Sequence, residues 1–564
     1  MLNSATEKTL SKLLMFGSAL VTIVVIANAV TDPVNVTKLL FLGPFAFGTF
    51  LIVISNYKFL ISRENRLAVI LIVLFIALAF NAVIQSDSPF TQNLYGSYGR
   101  NTGFISYLLF CFLFLAALLM RNLQSYRYLL SGLFFAGIVN VLYCLWAWQI
   151  GDFIGWNNPY NTILGTFGNP NFIGAFLGIF VSIVAAIVVR PGLHLKWRLA
   201  AIPLIVVIML EIDYSNAVQG LAVSGAGFAL VGFYVIRARF SKNYWLFGYC
   251  TSVFFVGLVA LMGALQKGPW ERYIYKTSVS LRGEYWQAGW KMGNANPFTG
   301  VGMDSYGDWY RRVRDESAMI LPGPHVVTNA AHNVPFDLLA YGGWFLFITY
   351  LAIFALSLVS IIRVTIRSKK YDYIFVSLAV GWACYQIQSI ISINQIGLAI
   401  WGWLLSGAVI SYEIATRGNL PSADSSRKKS TTPTGVVSPQ LLAGVGMVIG
   451  LFLVLPPFNA DSKWRSALVS GDVTKVEAAL QPGYLQPLDS YRLASAVQLL
   501  ESNKLFDLSY KYAKVGIDNN PNYFDAWRLL YFINKSTEAD KKIAVENMKR
   551  LDPLNKDVLA TPPQ

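Results

Sequence analysis

Charge is scarce in this sequence: Asp, Glu, Lys and Arg make up 13% of 564 residues against 55% hydrophobic ones, and the mean hydropathy is +0.49. A water-facing globular surface carries about 25% charged residues, so the composition excludes a soluble globule and implies a polytopic membrane protein. Cysteine is scarce too. The four present, Cys111, Cys144, Cys250 and Cys384, fall inside apolar runs, which excludes a disulfide framework or zinc spacing and makes them small buried hydrophobes. The chain has three histidines and no metal-ligand cluster in its polar segments, so neither a metal nor another cofactor is expected. Ionisable side chains are nearly absent from the middle of the apolar runs, which counts against an ion-coupled transporter. Met1 to Lys12 is polar and the run after it lacks a small-residue cleavage site before Thr31, so that run is expected to remain as an anchor.

Apolar runs near the 20 residues that a bilayer core requires lie near 13–30, 38–55, 67–84, 104–120, 127–149, 171–189, 197–210, 217–236, 245–263, 337–362, 372–391, 395–412 and 440–456. They predict an all-α polytopic protein of about 12–13 transmembrane helices. A net charge of +15 would suit nucleic acid, but Lys and Arg collect in alternate short loops: Lys58, Arg63 and Arg66; Arg121 and Arg127; Arg190, Lys196 and Arg198; Arg237, Arg239 and Lys242; Arg363, Arg367, Lys369 and Lys370; Arg417, Arg427, Lys428 and Lys429. Membrane topology accounts for them and no nucleic-acid partner is expected. By the positive-inside rule these loops and the N-terminus are cytoplasmic, and the segments at 85–103, 150–170 and 264–336 and everything after 457 face outward. The expected units are a membrane domain at 1–412, a Ser/Thr/Pro/Lys-rich cytoplasmic linker at 413–439, a last transmembrane helix at 440–456, and an extracytoplasmic domain at 457–564.

The longest polar segment, 264–336, holds two of the three histidines, His325 and His332. A loop of that length with this aromatic and Gly/Pro content reads as functional rather than disordered. Arg282, Trp286 and Gly289 have the spacing of one helix face. Asn296-Pro-Phe-Thr-Gly-Val-Gly302 reads as a tight turn. Trp270, Tyr273, Tyr275, Tyr285, Trp286 and Trp290 suit an interfacial belt or a sugar-stacking surface. His332, followed by Asn333 and a long apolar run, reads either as a structural hydrogen-bonder or as a base able to take a hydroxyl proton at neutral pH. Arg100, between glycines at a span mouth, either holds an anion or snorkels toward headgroups. Asn169 and Asn171 around Pro170 mark a helix N-terminus that either binds an anion or is simply capped. Gln219 opens the run after Ser215.

The segment after Asp461 is charged and helix-patterned. Its Pro-containing ends at Pro521 and Pro553 recur near the roughly 34-residue period of tetratricopeptide repeats. A small helical-repeat module is expected, presenting a groove to a protein partner or capping the membrane domain.

Gly168-Asn169-Pro170-Asn171 before a span, Arg282-Gly283 with Trp286, Asn296 to Gly302, and His332-Asn333 followed by Leu338 to Gly342-Gly343 together resemble the bacterial O-antigen ligase and polymerase superfamily, over roughly residues 95–410. The resemblance implies a multi-pass enzyme of the bacterial cytoplasmic (inner) membrane, using no metal or cofactor. It would move a glycan from an undecaprenyl-pyrophosphate carrier to an acceptor hydroxyl on a glycan, glycolipid or protein at the outer face. Carried over residue by residue, Arg282 binds the pyrophosphate, His332 orients or deprotonates the acceptor hydroxyl, and Arg100 is a second phosphate contact, with Asn333, Trp286, Asn169, Asn171 and Gln219 near the substrates. The chain departs from the pattern where many members have a Ser-Arg pair: Ser215 is followed by Asn216, with Gln219 further on. Ligase, repeat-unit polymerase and protein glycosylation all stay open, as do two other classes: a polysaccharide or lipid transporter with a docking tail, and a noncatalytic scaffold.

Overall fold

The computed structural model describes residues 2–156, 158–417 and 437–561. Most of the expected linker, with Arg427, Lys428 and Lys429, lies outside the described residues, as does Asn157. Helices are the only regular element among the described residues. Each predicted span overlaps a helix, the first shifted toward the N-terminus, since the run expected at 13–30 is helical only to Ile23: Ser4–Ile23, Asn35–Ser55, Arg66–Ile84, Phe104–Leu118, Leu123–Gln149, Pro170–Val188, Leu195–Tyr214, Val218–Arg239, Asn243–Ala264, Val334–Arg367, Tyr373–Ile391, Ile396–Ala415 and Pro439–Ser470. Ten of these are long and apolar enough to cross a membrane. The other three fall short for visible reasons. Phe104–Leu118 is apolar but only 15 residues long, Ser4–Ile23 carries Glu7, Lys8 and Lys12, and Leu195–Tyr214 carries Lys196, Arg198, Glu211 and Asp213.

Helix is the structure that satisfies every backbone group without water, and small residues set how closely the helices pack. Helices Pro170–Val188 and Val218–Arg239 meet where Gly174 faces Gly220: a Cβ on Gly220 would lie 2.8 Å from the Gly174 carbonyl. Helix Asn243–Ala264 packs few of its own residues, and Cys250 on it is exposed, unlike Cys111, Cys144 and Cys384. The burial expected of that cysteine fails because its helix lies at the periphery.

The few buried charges near helix ends are structural. Lys38 donates to the carbonyls of Val21, Thr22 and Val24 (2.5–3.2 Å) and caps the first helix. Glu7 accepts from the backbone N–H of Arg121 and Asn122 and from Ser125 (2.6–2.9 Å), while Arg121 donates to Asn65 and Ser411. These bonds gather the N-terminus and the basic loops at one end of the bundle. At the opposite end the loops around 31, 87–98 and 304–314 meet the residues after 457: Asp461 accepts from the backbone N–H of Thr31 and Asp32 (2.8 and 2.9 Å).

The boundary expected at 456/457 falls inside one helix, Pro439–Ser470. Pro456 has no N–H to give the carbonyl of Phe452, and the hydroxyl of Tyr484 takes that carbonyl instead (3.0 Å). The helix therefore continues, with Val454 in the membrane core and Trp464 and Ala467 in the core of the tail. Beyond it, helices Ser490–Ser502 and Phe506–Asn519 pack as one hairpin, and Phe524–Phe532 and Glu538–Leu551 as a second.

Candidate active site

Helix Val334–Arg367 is broken at Gly343, where φ is +70°. The break leaves the carbonyls of Ala340 and Tyr341 and the N–H of Trp344 without helical partners, and residues 296–302 supply them. Val301 N–H donates to Ala340 O (2.8 Å), Gly302 N–H to Tyr341 O (3.1 Å), and Trp344 N–H to Pro297 O (2.8 Å). The segment expected as a tight turn is thus a splice across a broken helix. Glycine is required on both sides: a Cβ on Gly300 (φ +63°) would lie 2.3 Å from the Tyr341 carbonyl carbon, and one on Gly343 would lie 2.4 Å from Pro297 O.

The splice places Asp304 and Tyr341 around Arg100. The Nε of Arg100 lies 3.5 Å from Asp304, its Nη1 donates to Asn329 O (2.5 Å), and its Nη2 donates to the Tyr341 hydroxyl (3.2 Å). Tyr341 donates to Asp304 Oδ1 (3.1 Å), and Asp304 Oδ2 accepts from Ser97 N–H and Thr102. Both partners of the ion pair are buried. Arg100 is therefore neither a snorkelling side chain nor an open anion fork: its guanidinium joins the loop at 97–102, the splice and residues 329–341. Three residues other than glycine with positive φ meet here, Asn101 (+54°), Asp304 (+54°) and His332 (+55°). Such backbone strain persists where the surroundings enforce it and clusters at functional sites.

His332 stacks on Tyr285, ring centroids 5.5 Å apart. Burial first, then the charges of Arg282 and Arg100, push its pKa down to about 4, so the ring is neutral at pH 7 and a weaker base than a free imidazole. Tyr285 and Arg282 are carried by helix Thr277–Ala295, the helix that the spacing of Arg282, Trp286 and Gly289 predicts. Burial lowers the pKa of Arg282. Its Nε has no partner, and no carboxylate pairs with it among the described residues. Trp286 packs on Phe336 (5.9 Å) with its own N–H unpartnered. Arg282 and His332, 50 positions apart, are thus brought into one electrostatic neighbourhood.

The remaining sequence candidates take structural posts. Asn333 caps its helix through Phe336 N–H (3.0 Å) and donates to Ile390 O (2.8 Å). Asn169 accepts from Asn171 N–H (2.9 Å) and donates to the Tyr160 hydroxyl (3.3 Å). It is a capped helix start, and neither asparagine has a contact that reaches His332 or Arg282. Gln219 donates to Gln388 (3.1 Å), two residues before the carbonyl that holds Asn333. The carboxylates Asp304 and Asp337 were not singled out by sequence. Asp337 is buried, with Oδ1 accepting from Ala331 N–H (2.7 Å) and Oδ2 unpartnered. Its signal was position alone, in the first helical turn after His332.

The tail docks on this loop rather than standing apart. Arg314 donates to both oxygens of Asp552 (2.6 and 2.8 Å) and Arg311 to one (3.0 Å), Asn520 donates to Asp308 (3.1 Å), and Tyr98 stacks on Tyr491 (4.8 Å). Between tail and loop lies a cavity of about 430 Å³, reached by His332 and Asp304 from the loop and by Asp489, Tyr491, Tyr523 and Asp525 from the tail.

No curated protein matches the chain. Residues 214–351, which hold Gln219, Arg282, the splice and His332 but neither Arg100 nor the tail, match the family model described as O-Antigen ligase. That match supports the O-antigen ligase superfamily, and with it a glycan ligase- or polymerase-like membrane enzyme.

Proposed function

We propose that the chain transfers a glycan from undecaprenyl pyrophosphate to an acceptor hydroxyl, as O-antigen ligases do. The observation that carries this reading is that an unpaired guanidinium, Arg282, acts electrostatically on a neutral imidazole, His332, whose residue has a strained backbone and borders a cavity that Arg282 does not reach. Arg282 holds the donor pyrophosphate. His332 takes the proton of the acceptor hydroxyl as its oxygen bonds to the anomeric carbon, and the bond from that carbon to the phosphate oxygen breaks with its electron pair leaving on the pyrophosphate. A good leaving group leaves the protein chiefly to hold charge and align the nucleophile. Arg100, paired with Asp304 and bonded through both terminal nitrogens, positions the strained segments instead of touching phosphate. The end bearing the loop and tail is the extracytoplasmic one, since the basic loops gather at the other. The tail's two hairpins and their Pro-containing ends are in keeping with a tetratricopeptide-like module.

The test is transfer by the purified chain in detergent or nanodiscs, supplied with a lipid-linked oligosaccharide and candidate acceptors. Release of undecaprenyl pyrophosphate together with a glycosylated acceptor is expected. Consumption of no donor on any acceptor, by protein that is folded, leaves the transporter or scaffold reading in its place.

A further inference from the structure

The cavity between loop and tail has a chemistry of its own. Its 430 Å³ falls in the range of about 300–1,000 Å³ typical of ligand clefts. Tyr98, Tyr491 and Tyr523 are among its lining, Tyr98 stacked on Tyr491, and Tyr491 is half exposed. Its charged lining is acidic. Asp304 is held by Arg100, and Asp308 accepts from Ser88, Gln92 and Asn520. Asp489 spends one oxygen capping helix Ser490–Ser502 through Arg492 N–H (2.9 Å), and Asp525 pairs with Arg528 on the surface (3.0 Å). The one lysine or arginine in the lining, Arg311, is committed to Asp552 and lies over the Phe524 ring (4.3 Å). Among the described lining residues an anion would meet carboxylates and no uncommitted lysine or arginine. A sugar ring would find apolar faces to stack on and carboxylate acceptors for its hydroxyls.

We infer that this cavity is the acceptor subsite, that the tail supplies its outer wall, and that it takes an uncharged or amine-bearing carbohydrate and rejects an anionic one. The inference rests on the glycan-transfer reading above. His332 borders the cavity and Arg282 does not, so an acceptor hydroxyl reaches the imidazole from the tail side while the donor pyrophosphate is held at Arg282. Acceptor choice is then set largely by Tyr523, Asp489 and Asp525, outside the 214–351 segment that carries the family match.

Binding can be measured without catalysis, by saturation-transfer NMR and calorimetry on the full chain in nanodiscs. The probes are three disaccharides: N,N′-diacetylchitobiose, its de-acetylated diamine, and a hexuronate-containing disaccharide. The first two should bind and the uronate should bind at least about tenfold more weakly. Tyr523→Ala should weaken binding of both by about tenfold or more through lost stacking. Asp489→Asn keeps the helix cap and should, with Asp525→Asn, narrow the discrimination against the uronate. Equal binding of the uronate, or unchanged binding in Tyr523→Ala at unchanged thermal stability, overturns the proposal. The two readings fail separately. Binding as expected without any donor turnover sinks glycan transfer and leaves the carbohydrate site, whereas turnover with an acceptor KM indifferent to all three substitutions sinks the site and leaves the transfer.

Discussion

Replacing Arg282 by glutamine removes a positive charge beside His332, and the sign of the consequence is fixed. The imidazole is held at a pKa of about 4 by burial, then Arg282, then Arg100. Without Arg282 the protonated ring is less disfavoured, so its pKa rises. Burial is the largest of the three causes, which limits the rise to about one pH unit. The acid limb of kcat/KM reports the free enzyme. With a base of pKa near 4 the wild type should keep about 90% of its plateau at pH 5, whereas Arg282→Gln, with the pKa near 5, should keep about half of its own lower plateau. Arg282→Lys separates charge from shape: it should lose plateau activity with the planar fork yet leave the limb in place. The assay is undecaprenyl pyrophosphate release from pH 4 to 8, each variant normalised to its own plateau. An acid limb at pH 6.5 in the wild type, or one that stays put or moves down in Arg282→Gln, refutes the electrostatic coupling of the two residues.

His332→Ala should lower turnover by about 10²–10⁴-fold if the imidazole is the base while donor binding is kept, and near-normal turnover in His332→Gln would reduce the ring to a hydrogen-bonding guide. Asp552→Ala leaves Arg314 buried and unpaired, a loss of about 3 kcal/mol or more; faster proteolysis of the 457–561 segment and weaker acceptor use should follow, and an unaltered digestion pattern would mean that the ion pair does not hold the tail. Gly300→Ala, at φ +63° against the Tyr341 carbonyl, should cost about 1–3 kcal/mol in strain alone, whereas Gly283→Ala, with open space around it, should leave the melting temperature in detergent unchanged or slightly raised; a matched response of the two would count against the splice. Single cysteines at Ser317 and Lys535 in a cysteine-free background should react with an impermeant thiol reagent on spheroplasts, and one at Ser368 should not; the opposite pattern inverts the orientation.

What the sequence made legible depended on how locally the information is stored. Apolar runs are local, and each predicted span overlaps a helix. Arg282, Trp286 and Gly289 share one helix, so their common face could be read from spacing. The partner of Asn296 to Gly302 lies about forty positions downstream, and nothing within the segment distinguishes a turn from a strand waiting for a broken helix. Arg100 looked free because the carboxylate that neutralises it, Asp304, is remote in sequence. The continuation of the helix across the boundary expected at 456/457 was hidden because Tyr484, which takes the Phe452 carbonyl that Pro456 leaves, is 32 residues away. The tail's Asn520-Pro521 and Asp552-Pro553 read as repeat punctuation, although the same Asn520 and Asp552 side chains are what anchor it to the loop.

The pairing of Asp552 with Arg314 also sets an order of events in biosynthesis. Chains are made from the N-terminus onward, so residues 264–336 reach their compartment long before residue 552 exists. Until then Arg311 and Arg314 lack the carboxylate they share, and the cavity beside His332 lacks its outer wall. The membrane helices can be complete while the acceptor side is still open. Helix Pro439–Ser470, rising unbroken out of the bundle, then delivers the tail to a fixed place above the loop. On the acceptor-subsite proposal, a nascent chain carries His332 and Arg282 together before it has any means of choosing an acceptor, and selectivity is the last property it acquires.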